Sequence, residues 1–239
     1  MAKHHRKWDA NVYEKYIQEG RGSGWGSEYM PWIRIQDFAS RGIVSRVKSR
    51  KTGRVHHMMS NNELAYFYIL EWSDKVTDIR EQYPLLDIEC AVKVAAEGGI
   101  KYPTDKISGY PYVLTCDFMV TTMEGIKART IKTASELNNR RTIEKLEIER
   151  RYWLAQGIEW KIVTEREIAY KKAKNIEWLY TAYGGDDEIW GQSEAQDMIQ
   201  MIHSGEYSIV YAPCRYRDDR KYIYPNNSAA QANIRGRSK

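Results

Sequence analysis

The sequence predicts a mixed α/β domain, one central sheet flanked by helices, with a short α+β appendage at its C-terminal end. Three observations predict it. Helix and strand patterns follow one another as helix, hairpin, helix, strands, helix, strand, helix, an order that suits packed α/β layers. The chain has 239 residues, enough for one domain of ordinary size and a small appendage. Its 42% hydrophobic and 29% charged composition calls for a packed core.

Each element has its own signal. Residues 1–10 read as a mobile basic arm. Residues 11–19 form a short helix that Asn11 can cap. The run Gly20-Arg-Gly-Ser-Gly-Trp-Gly26 breaks it. That run lacks the Gly-Lys-Ser/Thr ending of a phosphate loop and follows no strand, so it is a flexible loop in which Arg21 is a candidate phosphate contact. Residues 43–59 are a β-hairpin turning at Lys51-Thr52-Gly53-Arg54. Ser60 and Glu63 make a capping box, with Met59 and Leu64 as its hydrophobic staple, and the helix runs to about Trp72.

Residues 76–83 alternate and stop at Pro84, as a strand does. A short helix is expected near 89–97. Strands at 112–121 and 126–132 flank the turn Met123-Glu124-Gly125. The clearest helix covers 140–156, capped by Thr142 and closed by Gly157. A strand at 160–164 and a helix at 165–181, interrupted near Tyr170, complete a domain spanning residues 1–180. Gly184-Gly185-Asp186-Asp187 then reads as a linker. Residues 181–239 form a short C-terminal segment: a helix from Ser193 to His203, a hairpin between Tyr207 and Tyr224 around Asp218-Asp219, and a disordered basic tail from Asn226 to Lys239.

Composition narrows the function. A net charge of +5 suits, without requiring, contact with nucleic acid. Cys90, Cys116 and Cys214 form no zinc spacing, and a reduced cytoplasmic setting follows as the default. No apolar stretch approaches the roughly 18 residues of a membrane span, and residues 1–7 lack the apolar centre of a signal peptide.

Three polar residues in apolar surroundings carry the chemistry: Glu63, Asp117 and Lys132. Asp117 interrupts the run from Tyr112 to Val120, and an unpartnered buried carboxylate is costly, so it has a donor or a metal beside it. Lys132 ends the next strand, and adjacent strands can bring the two side chains to one end of the sheet. Glu63 can reach that end from its helix while still capping. Two carboxylates that hold a hard cation through oxygen, with a lysine beside them, suit phosphodiester hydrolysis. A salt bridge between Asp117 and Lys132 alone is the structural alternative. Glu149 and Gln82 are candidates for the surrounding layer. The basic hairpin, with Arg46, Lys48, Arg50, Lys51, Arg54, His56 and His57, is a candidate DNA-backbone contact.

The blocks Glu19-Gly-Arg-Gly22, Tyr29-Met-Pro-Trp32, Lys51-Thr-Gly-Arg-Val-His-His57, Glu63-Leu-Ala65, Leu70-Glu-Trp72, Asp78-Ile-Arg-Glu-Gln82, Asp117-Phe118, Glu144-Lys-Leu-Glu-Ile-Glu-Arg-Arg-Tyr-Trp153 and Asn175-Ile-Glu-Trp-Leu-Tyr180 together resemble the TnsA endonuclease family. The resemblance covers nearly all of residues 1–180. It implies a restriction-endonuclease-like fold of the PD-(D/E)xK class, with Glu63, Asp117 and Lys132 as the catalytic set and Mg²⁺ or Mn²⁺ as cofactor. It implies cutting the 5′ ends of a transposon on double-stranded DNA, beside a TnsB-like DDE transposase and under a TnsC-like AAA+ ATPase. A bacterial, nucleoid-associated location goes with that role.

Two departures matter. Thr130 stands where the family usually has Gln or Glu, so the metal is expected to lean on Asp117, Glu63, the Ile131 carbonyl and waters, with Thr130 a poorer ligand. Residues 181–239 are short for the winged-helix domain that such proteins can carry. Two rival functions are a non-catalytic adaptor between the ATPase and the DDE transposase, and a stand-alone restriction or repair nuclease.

Overall fold

The computed structural model describes residues 7–37, 44–183, 207–209 and 223–225. The expected start of the basic arm, the linker at 184–187, the helix at 193–203, the turn around Asp218 and the tail from Asn226 lie outside the described residues. The chain divides into two compact units, Met1–Ala169 and Tyr170–Lys239. The sequence pattern puts the boundary after residue 180; the packing puts it at the start of the last helix.

The first unit holds a four-stranded sheet in the order β3-β4-β5-β6: Val76–Pro84, Thr115–Thr122, Gly125–Ile131 and Glu159–Val163. The first two pairings are antiparallel and the last is parallel, so the sheet is mixed. Parallel pairing needs a crossover, and helix α4, Arg140–Ala155, supplies it between β5 and β6. Separate from this sheet is the basic hairpin, β1 (Ser45–Lys48) paired with β2 (Val55–Met58).

Helix α2, Asn61–Trp72, is apolar on more than one side, as a helix buried between layers must be. Phe67 is fully buried and packs against the His56 ring. A second cluster lies between the sheet and two helices, α3 (Ile88–Glu97) and α4. Leu85, Ala91, Val94, Met119, Ala128, Ile148 and Trp153 fill it. Burying such side chains contributes about 1.5–3 kcal/mol each, which fixes the face that α4 presents to the sheet. Its outward side carries the ion pairs Arg141–Glu144 and Arg150–Glu147.

Several expectations need correction. Asp9, not Asn11, caps the first helix, α1 (Ala10–Gln18), accepting from the Val12 N–H. Asn139, not Thr142, caps α4, taking the Arg141 and Thr142 N–H groups at once. Both are residues whose short oxygen reaches the first-turn amides. Residues 112–114 precede β4 rather than belong to it, and the last helix, α5, begins only at Tyr170. Thr164 and Glu167 explain the late start: Glu167 Oε2 takes both the N–H and the hydroxyl of Thr164, a turn of its own that ends β6. In the second unit, Tyr207–Ile209 (β7) pairs antiparallel with Ile223–Pro225 (β8), as the hairpin pattern suggested.

Candidate active site

The β4–β5 ladder stops at the pair Phe118–Arg129. Beyond it the Ile131 N–H donates to Asp117 Oδ2 at 2.6 Å, where a main-chain carbonyl would otherwise serve. A side chain replaces the ladder, so the amide stays satisfied while the strand end is freed for other contacts. Lys132 follows at once, its own N–H held by the Val163 carbonyl of β6. Its Nζ lies 3.3 Å from Asp117 Oδ2 and donates to the Ile131 carbonyl at 2.8 Å.

Glu63 reaches the same place from the first turn of α2. The capping box forms: Ser60 Oγ accepts the Glu63 N–H, and the Glu63 carboxylate takes the Met59 N–H and the Ser60 hydroxyl. Capping therefore orients the carboxylate without using all of its acceptor capacity. Glu63 Oε2 and Asp117 Oδ1 lie 3.5 Å and 3.4 Å from one nitrogen, Nε2 of Gln82. The structure thus brings Glu63, Gln82, Asp117 and Lys132 together.

The electrostatics follow from burial. Burial, and then the charge of Asp117, push Glu63 up to about 7. Burial also works against the Lys132 charge, but Asp117, Glu149 and Glu63 outweigh it and raise its pKa, so Lys132 is an ammonium at neutral pH. Glu149 comes from α4 and is pushed up to about 8 by burial, with Asp117 adding to the rise against the Thr130 hydrogen bond. Two buried carboxylates facing one another across a neutral amide are short of positive charge, and that donor set fits a divalent cation. Among the described residues no group of three or more His, Cys, Asp and Glu side chains is placed to hold one ion. Further oxygens have to come from an amide, the main chain or water.

Other expected members are placed elsewhere. The Thr130 hydroxyl donates to Glu149 Oε2 at 2.6 Å and accepts from Trp160 Nε1 at 3.1 Å, so it is turned into the α4 layer rather than offered as a ligand. Arg21 is buried: it bonds Glu19, Asp37 and the Trp32 carbonyl and stacks on Tyr16. It is structural, not a phosphate contact.

The basic hairpin divides into two sets. Arg46, Lys48 and Arg50 are exposed and Lys51 is half-buried. Arg54, His56 and His57 face inward. Arg54 Nη1 lies 2.8 Å from Glu81 Oε1, His56 Nδ1 lies 2.8 Å from Glu81 Oε2, and the His57 N–H donates to the same carboxylate. His57 Nδ1 in turn accepts the Ile35 N–H. Burial opposes the charge on Glu81, but His56 and Arg54 hold its carboxyl well below the ordinary range. Glu71 of α2 does the same at the turn, taking the Ser49 hydroxyl and the Arg50 and Lys51 N–H groups. These two buried glutamates anchor the hairpin. The signal in the sequence was faint: two acids with helix or strand spacing opposite a run of cations.

A mixed sheet flanked by helices, with paired acids and a lysine at one sheet end, defines a restriction-endonuclease-like protein. The family model described as TnsA-like endonuclease N terminal matches residues 73–165, which include Gln82, Asp117, Lys132 and Glu149. The Transposon Tn7 transposition protein TnsA of Escherichia coli is 44% identical over 184 residues, covering 76% of this chain and 66% of that protein, just under two thirds of its length. The chain belongs to the TnsA family.

Proposed function

We propose that this chain is a metal-dependent DNA endonuclease that cuts the 5′ ends of a transposon within a heteromeric transposase. The observation that carries the proposal is the convergence of two buried carboxylates, Glu63 and Asp117, on the Gln82 amide beside the Lys132 ammonium. Its setting, a chain 44% identical to a transposition protein, supplies the substrate class.

Glu63 and Asp117 would hold the cation, Mg²⁺ or Mn²⁺. Bound there, it would supply phosphate polarisation and a water of lowered pKa. Lys132 is charged, so it has no lone pair with which to take a proton from water. Its role is to offset charge on the phosphate and to orient the water that attacks phosphorus in line. Ile131 fixes the orientation of Asp117 through its N–H, while its carbonyl is held by Lys132. Glu149, largely protonated at neutral pH, braces β5 through Thr130.

The exposed Arg46, Lys48 and Arg50 of the hairpin, with the half-buried Lys51, suit the DNA backbone. The complex would include double-stranded transposon-end DNA, a TnsB-like DDE transposase and a TnsC-like AAA+ ATPase, with residues 181–239 as the partner-binding segment. Among the described residues no helix is long and apolar enough to cross a membrane. One observation favours the adaptor instead: the Thr130 hydroxyl is already engaged by Glu149 and Trp160.

End-bearing DNA incubated with the chain and its partner subunits, with and without Mg²⁺, tests this. Nicks at the 5′ ends are expected only with the cation and only in the assembled complex. Assembly without such nicks at any divalent-ion concentration favours the adaptor. Cleavage by the chain alone favours a stand-alone nuclease.

A further inference from the structure

Gln82 is the single non-glycine residue with positive φ among the described residues, at 48°. It is buried, and it is the third residue from the end of β3. A left-handed conformation costs a non-glycine residue about 1–2 kcal/mol, so something must over-determine it. Its main chain is held by the Trp32 N–H, which donates to the Gln82 carbonyl. Its side chain is then committed at both ends. Nε2 faces Glu63 Oε2 and Asp117 Oδ1. Oε1 accepts from the Thr115 hydroxyl at 3.2 Å.

The partner at each end is informative. An amide carries a donor end and an acceptor end, and a half-turn about its last bond exchanges them. Thr115 tolerates either end, because a hydroxyl both donates and accepts. The two carboxylates prefer the nitrogen when no cation is present, since it separates two like charges. A cation between them would prefer the oxygen. Neither Thr130 nor a third acid is available to supply it, because Thr130 is spent on Glu149 and Trp160 and no third carboxylate joins the pair.

We propose that Gln82 is a two-position ligand of the proposed cation site: its amide nitrogen spans Glu63 and Asp117 without the cation, and its amide oxygen turns to a bound cation while the nitrogen moves to Thr115. This rests on the metal-dependent reading above and adds a residue to it. Gln82 thereby gives the site a third side-chain oxygen without a third negative charge. The strained backbone at the end of β3 is what aims that side chain at the pair.

The test uses the whole chain without DNA, so cleavage is not the readout. Mn²⁺ binding is followed by calorimetry for wild type, Gln82→Leu, Gln82→Glu, Thr115→Val and Asp117→Asn, and the Gln82 side-chain NH₂ signals by NMR for wild type and Thr115→Val. Gln82→Leu should weaken Mn²⁺ binding about tenfold or more, the usual effect of losing a ligand or its support. Gln82→Glu should retain or strengthen it, because an oxygen is present at the same reach, while lowering the Tm of the metal-free protein. In wild type the NH₂ signals should shift on adding Mg²⁺, and Thr115→Val should remove much of that shift. Wild-type Mn²⁺ affinity in Gln82→Leu, with binding lost in Asp117→Asn, overturns the Gln82 assignment and leaves the metal site standing. No Mn²⁺ binding by the folded wild-type chain overturns both.

Discussion

The Ile131 main-chain N–H donates to Asp117 Oδ2 at 2.6 Å, one step past the last β4–β5 pair. The contact gives Asp117 two duties. Oδ2 closes the sheet and receives Lys132, while Oδ1 faces Gln82. The two duties separate by substitution. Asp117→Asn keeps an oxygen for Ile131 and should retain a Tm close to wild type. Asp117→Ala leaves a buried N–H without an acceptor and should cost about 1–3 kcal/mol. Thermal unfolding of both variants checks this, and equal losses would contradict it.

The two raised carboxyls make a pH prediction. Glu63 stands at about 7 and Glu149 at about 8, against an ordinary 4.5. A carboxyl with a raised folded-state pKa holds its proton more tightly folded than unfolded, so ionising it costs the folded state stability. The metal-free protein should therefore lose stability as pH rises from about 4.5 to about 8. Glu149→Gln should flatten the upper part of that fall. Adding Mg²⁺ should recover the Glu63 part alone. Tm measured across this range, with and without the cation, decides it.

Gln82→Gly removes both the strained φ and the amide. A glycine at a left-handed position relieves about 1–2 kcal/mol. The variant should thus match or exceed wild type in denaturant stability while cleaving poorly in the assembled complex. A variant that is unstable and active would reverse both expectations.

The hairpin should answer differently to its outer and inner cations. Arg46→Ala with Lys48→Ala should leave unfolding unchanged and lower the salt dependence of DNA binding by roughly two phosphate contacts. Glu81→Ala leaves Arg54 and His56 buried without their partner, and should destabilise by about 3–5 kcal/mol. Binding isotherms over a salt series and urea unfolding separate the two cases.

Much of this arrangement was legible in the residues. The capping box at Ser60 and Glu63, the strand interrupted by Asp117 and the lysine at the end of the next strand are local patterns with local causes, and they forecast the convergence. What was not legible is long-range. Arg54 and His56 look like surface cations until Glu81 of a later strand is seen beneath them. Thr130 looks like a weak ligand until Trp160, 30 positions on, fixes its hydroxyl. Gln82 has an ordinary strand context, and its positive φ depends on Trp32 holding its carbonyl from another segment. Cap choice failed for a smaller reason: Asp9 and Asn139 lie two and three residues ahead of the residues expected to cap, where boundaries read from sequence are weakest.

The most direct measurement is strand scission at labelled transposon ends by the reconstituted complex carrying Asp117→Asn in this chain. Complex formation and fold should persist, and Mg²⁺-dependent breaks at the 5′ ends should vanish while the partner's 3′ breaks continue. Undiminished 5′ breaks from that complex would contradict the account.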